Sequence, residues 1–134
     1  MKTLLTCAAA LMVSLLTSAT AADTRCYEMR TYHAAPGKFD DMLARFRNHT
    51  VKLFAKHGMV NLGYWVPMDE KDGSANRLVY ILAYPSRAAR EKSWEAFLAD
   101  PDWIAAKTAS EVNGTLVDKV ESVFLTATDY SPIR

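Results

Sequence analysis

Two histidines on one helical stretch are the most reactive features of this 134-residue sequence. His49 follows Phe46 by three residues and precedes Leu53 by four, a spacing that puts all three on one helix face. An imidazole in that position can act as a general base or as a ligand to haem iron. It can equally finish an apolar face, held by one hydrogen bond to backbone or water. His49 is therefore the candidate catalytic residue. His57 stands just before Gly58, in a last helical turn where a partly charged imidazole suits the dipole, and it joins the ligand-binding candidates.

A second constellation lies near the start of the chain. Glu28, Arg30 and Tyr32 alternate with Tyr27, Met29, Thr31 and His33, so on a strand they form one polar stripe. Charges on an interior strand must be paired or hydrogen-bonded. The stripe reads either as the polar wall of a ligand cavity, with Arg30 holding an anionic or carbonyl group, or as an ion pair such as Arg30 with Glu121. Trp65 and Trp94 are the aromatic candidates for lining such a pocket, although rings of this size more commonly fill cores and interfaces.

Other chemistry has no footing. The sequence contains no Gly-rich phosphate loop, Cys pair, His-x-x-x-His or Gly-x-Ser-x-Gly motif, so no metal or nucleotide site is expected. Asn48-His49-Thr50 and Asn113-Gly114-Thr115 spell glycosylation sequons but are read as chance.

The elements that must position these residues emerge from periodicity and punctuation. Cys26 to Ala34 reads as a strand ended by Pro36-Gly37. Lys38 to His57 carries Phe39, Met42, Leu43, Phe46, Thr50 and Leu53 at helical spacing, with Arg45, Arg47, Asn48, Lys52 and Lys56 on the opposite, solvated face. Val60 to Met68 is a second strand, at an edge or ended by Pro67. A polar turn around Asp72-Gly73 leads to a third strand, Arg77 to Tyr84, whose apolar character on both faces suggests a central place. Ser86 can cap a helix from Arg87 to Leu98; Asp100-Pro101 restarts it as far as Val112; Val117 to Thr128 is the last strand. The order β-α-β-β-α-β with right-handed crossovers gives an α+β, ferredoxin-like sandwich. Helices cover one sheet face. The other face carries too many apolar side chains for water, and a second copy would hide them, hence an expected homodimer.

The N-terminus follows the export pattern. Lys2, the apolar run from Leu4 to Leu16 and Ala19-Thr20-Ala21 read as a cleavable signal peptide over residues 1–21, because the run is shorter than the roughly 20 residues that span a bilayer. A periplasmic or secreted domain at 22–134 is expected, with no membrane contact after cleavage. Cys7 leaves with the signal, so Cys26 is the one mature cysteine, read as a buried thiol. Removing Lys2 takes the 16 basic residues to 15 against 15 acids. A near-neutral domain offers no net basic face for nucleic acid.

Tyr27-Glu28-Met29-Arg30-Thr31-Tyr32 followed by Pro36-Gly37-Lys38-Phe39 resembles the opening of NIPSNAP-family domains. Lys56-His57-Gly58, Arg77-Leu78-Val79-Tyr80 and Asp100-Pro101-Asp102-Trp103 continue the resemblance over nearly the whole mature chain. It implies a dimeric α+β barrel and implies no particular reaction, since related barrels include cofactor-free monooxygenases and haem-binding enzymes. Three functional expectations result. The first is a homodimer binding a small, partly apolar molecule between helices and sheet, at Glu28, Arg30, Tyr32, His49, His57, Trp65 and Trp94. The second is a monooxygenase-like enzyme with His49 as base, and the third a non-catalytic interaction module. No cofactor is expected, with haem the one alternative.

Overall fold

The computed structural model describes residues 25–134, so the export segment read at 1–21, Cys7 included, lies outside the described residues. Four strands, β1 (Cys26–Ala34), β2 (Val60–Trp65), β3 (Arg77–Tyr84) and β4 (Val117–Leu125), form one antiparallel sheet in the order β2-β3-β1-β4. This is the ferredoxin-like topology that the element order predicts. The two strands with the most apolar or most demanding side chains, β3 and β1, occupy the centre.

Two strands stop earlier than their sequences suggest. β2 ends at Trp65 rather than Met68 because Pro67 has no N–H to donate and the chain leaves the sheet before it. β4 ends at Leu125 rather than Thr128 because Leu125 already faces Tyr27, one residue from the start of β1, and the partner strand runs out.

The first helical stretch is three pieces: α1 (Phe39–Arg45), a π-helical turn (Phe46–Thr50) and α2 (Val51–Lys56). In the π-turn the Val51 N–H bonds to the Phe46 carbonyl five residues back, so each residue advances less around the axis than in an α-helix. The apolar stripe slips in phase. Phe46 and Thr50 turn inward and are buried, and Thr50 Oγ1 donates to the Arg45 carbonyl at 3.3 Å. His49 is turned out to solvent. The straight-helix expectation that His49 faces the sheet is thus corrected. Arg45, expected on the solvated face, is buried, donating from Nη1 to Glu111 Oε1 at 2.8 Å with its guanidinium over the Trp103 ring.

Two further helices complete the cover, α3 (Arg87–Ala99) and α4 (Pro101–Ser110). The Ser86 hydroxyl caps α3 by accepting the Ala89 N–H at 3.0 Å, and the Asp100 carboxylate caps α4 by accepting the Asp102 N–H at 2.8 Å. Leu78, Tyr80, Leu82 and Tyr84 alternate along β3 toward these helices and meet Phe46, Phe54, Trp94 and Phe97, all buried. Tyr80 has rings on three sides, with centroids of Tyr32, Phe46 and Tyr64 each 5.3 Å away. Such pairs add about 0.5–1.5 kcal/mol each beyond area burial. The cap at Ser86 fixes the start of α3, the helix that carries Arg90 and Trp94 into the sheet's polar centre. Replacing Ser86 with Ala should cost about 1 kcal/mol in a urea titration, with the secondary-structure signal unchanged.

Candidate functional site

Glu28, the third residue of the central strand β1, is wholly buried. A carboxylate there demands donors, and the fold brings them from four elements. Oε1 accepts from Arg30 Nη1 at 2.5 Å, from Arg90 Nη2 at 2.8 Å and from the Ser122 hydroxyl at 2.7 Å. Oε2 accepts from Arg90 Nε at 3.0 Å and from the Tyr84 hydroxyl at 2.9 Å. Arg90 thus grips both oxygens in the fork geometry that suits guanidinium to carboxylate. The Tyr84 hydroxyl in turn accepts from Trp94 Nε1 at 2.8 Å.

Arg30 extends the cluster. Its Nε donates to the Tyr80 hydroxyl at 3.0 Å, and its guanidinium carbon lies 4.3 Å from the centroid of the Trp94 ring, a cation–π distance. The Tyr32 hydroxyl is 3.4 Å from Arg30 Nη2. Burial pushes the Glu28 carboxyl up, but the hydrogen bonds from Arg90 and Ser122, with the charge and hydrogen bond of Arg30, outweigh it and hold the group at about 2. Burial likewise lifts the Tyr84 and Tyr80 hydroxyls above the usual tyrosine range, so both stay protonated.

The cluster can do little proton chemistry. Glu28 is ionised throughout the physiological range, its oxygens are ringed by donors, and Tyr80, Tyr84, Arg90 and Trp94 close over it. Its partners differ from the ion pair suggested by the sequence. The register sets Glu121 opposite Thr31, on the other sheet face from Arg30, where it pairs with Lys119 at 2.6 Å and His33 at 3.1 Å.

The remaining candidates lie apart from this centre. His49 is exposed and borders grooves against α4 with Ala106 and Ala109, an open setting unlike the enclosed apolar slot that haem requires. His57 is committed: its Nε2 lies 2.6 Å from Oδ2 of the buried Asp100, which also takes Lys56 Nζ at 2.7 Å. Hydrogen bonds from Lys56, His57 and the Asp102 N–H hold the Asp100 carboxyl well below the usual carboxylate range. Trp65 sits on the edge strand, half-exposed, its ring folded so closely over Gly63 that a Cβ there would come within 2.5 Å. Only Trp94 among the aromatic candidates joins Glu28, Arg30 and Tyr32. Among the described residues no group of three His, Cys, Asp or Glu side chains converges as a metal site.

Sequence reading missed Arg90 and Ser122. Arg90 stands four residues before Trp94, hence on the same inward helix face, and that spacing was the available signal.

The NIPSNAP family profile matches residues 27–132, which spans nearly all of the strands and helices of the fold. The chain belongs to the NIPSNAP family. Protein NipSnap homolog 3B of Mus musculus is 35% identical over 77 residues, which is 58% of this chain and 30% of the mouse protein, so the match spans about a third of that relative's length. A solved NIPSNAP domain protein from Burkholderia xenovorans is 27% identical, with a TM-score of 0.66 over 80% of this chain and 98% of that one. A NIPSNAP family protein from Agrobacterium tumefaciens, 24% identical, superposes with a TM-score of 0.70 over 82% and 99% of the two chains. The NIPSNAP fold is therefore common to this chain and both solved proteins. In this chain the polar centre around Glu28 sits on the two central strands of that fold, β1 and β3.

The linkage of Glu28 to stability has a definite sign. A carboxyl depressed from about 4.5 to about 2 in the folded state stabilises the fold above pH 4.5, and that contribution is lost as pH falls toward 2. By linkage it is worth roughly 3 kcal/mol. Glu28→Gln should cost about 3–5 kcal/mol at pH 7, since it strands two guanidinium groups. The same substitution should flatten the loss of stability between pH 4.5 and 2, measured by urea unfolding at stepped pH.

Proposed function

We propose that this NIPSNAP chain is one half of a homodimeric, non-catalytic binding module for a small, partly apolar molecule, acting outside the cytoplasm once its N-terminal segment is cleaved. The observation that carries the reading is the uncovered sheet face. The helices cover only one side, where Glu28, Arg30, Leu78, Tyr80, Leu82 and Tyr84 are buried. On the other side Val60, Trp65, Val123 and Leu125 are 40–54% exposed around a half-buried centre of Met29, Val79 and Ile81.

Charge favours a second copy as the occupant of that face. One end carries Lys119, Glu121 and His33, both signs within one cluster, which is self-complementary about a two-fold axis and unsuited to a partner of one sign. The whole chain is only +1, so two copies do not repel. Catalysis by His49 draws less support, because the π-turn carries that imidazole away from Tyr32 and Trp94. The binding site expected along Glu28, Arg30 and Tyr32 draws less as well, because those groups already satisfy one another.

Sedimentation equilibrium of the purified domain at micromolar concentration should return twice the chain mass. Val123→Glu places a charge in the middle of the apolar face at a site half-exposed in the single chain. It should yield a monomer with an unchanged circular dichroism spectrum. A wild-type monomer would overturn the reading.

A further inference from the structure

The two edges of the sheet are built differently. β4 carries Asp118, Lys119 and Glu121, and charges of this kind keep a free edge from recruiting another strand. β2, the opposite edge, has neither a charged residue nor a proline from Val60 to Trp65. Its irregularity lies between Asn61 and Gly63. Past that point Gly63, Tyr64 and Trp65 pair in regular register with Ile81, Tyr80 and Val79. Alternate N–H and C=O groups of this stretch therefore point away from β3, where the sheet has no further strand.

Between this edge and the first helical stretch is a groove of about 320 Å³. Leu43, Phe46, Val51, Tyr64 and Leu78 wall it, with the exposed Arg47, Trp65 and Val66 at its mouth. It opens on the helix-covered side of the sheet, where Tyr64 stacks on Tyr80, and not on the face assigned to a second copy. The π-turn shapes it, because Phe46 is buried there while Arg47, next in sequence, stays exposed. Arg30, Arg45 and Arg90 are all paired with carboxylates. The Arg47 guanidinium has no ion pair or hydrogen bond among the described residues. A free strand edge, an apolar groove beside it and an unpaired cation at the mouth are the parts that strand-addition recognition uses. Backbone bonds supply affinity, the groove selects a side chain, and the charge selects its neighbour.

We propose that β2 is a docking edge for an extended peptide segment, which adds to the sheet as a further strand. It seats one large apolar side chain in the groove and sets a carboxylate two residues away against Arg47. That spacing follows from the strand period, which returns side chains to one face at every second residue. The inference is independent of the dimer, since the peptide takes an edge and the second copy a face.

The test is fluorescence polarisation of a labelled peptide, Thr-Val-Thr-Leu-Thr-Glu-Thr, titrated with the full mature domain. This peptide should bind saturably, and a form with Lys in place of Glu about fivefold more weakly. A form N-methylated at Leu and at the Thr that follows should not bind, because it cannot donate to the edge. Arg47→Glu should reverse the preference between the Glu and Lys peptides with the circular dichroism spectrum unchanged, since that side chain is exposed. No saturable binding overturns the inference, as does equal binding of the N-methylated form or an Arg47→Glu domain that keeps the original preference. Amide exchange separates a peptide from a second copy on the same edge. The outward amides of Gly63–Trp65 should exchange fast in the peptide-free domain and slow when the peptide is added. Protection already present without peptide would give the edge to a second copy and overturn the inference.

Discussion

The structure depends on one buried carboxylate. Moving Glu28 out of water would cost several kcal/mol if it stood alone, and the sheet can place it at the centre only by gathering compensating donors from around it. Those donors come from β1 itself, from Tyr84 at the end of β3, from Ser122 on β4 and from Arg90 on α3. The interaction therefore fixes the relation of three strands to one helix. Because it needs two guanidinium groups and two hydroxyls at set distances, it specifies register in a way that apolar packing does not. A one-residue slip of β4 would send Ser122 to the other face.

The same arrangement limits the chemistry. A carboxylate held at about 2 and surrounded by donors is a poor acid and a poor base near neutrality, so the most polar place in the molecule is structural. The opposite face of the sheet carries exposed Val123 and Leu125, the paired charges of Lys119 and Glu121, and the unbonded Tyr27 hydroxyl. One face is closed by helices, with its central carboxylate fully bonded. The other is left uncovered by the helices. That asymmetry, more than any single side chain, directs the functional reading toward association and binding.

Much of this was legible in the sequence. The strands Cys26–Ala34 and Arg77–Tyr84 could be bounded from alternation and from the turn residues around them, and the central places of both followed from their charged or doubly apolar faces. The caps at Ser86 and Asp100 were readable from residue type. The site was less legible. A π-turn has no sequence signature comparable to a proline or glycine, so the outward swing of His49 and the inward swing of Arg45 could not be read from spacing that assumes 3.6 residues per turn. The partner of Arg30 depends on strand register and on a helix far along the chain, and nothing local to Glu28 points to Arg90, 62 residues away.

Glu28 is, on these grounds, a permanently ionised structural anchor. The most direct measurement of that property is a carbon-13 NMR titration of its side-chain carboxyl in the folded domain, assigned through Glu28→Gln. A midpoint near 2 is expected, with no change in the resonance between pH 5 and 8. A midpoint above 4.5 would contradict the anchor role, because a carboxyl that binds its proton more readily than in water is not held by two guanidinium groups and is free to act as an acid.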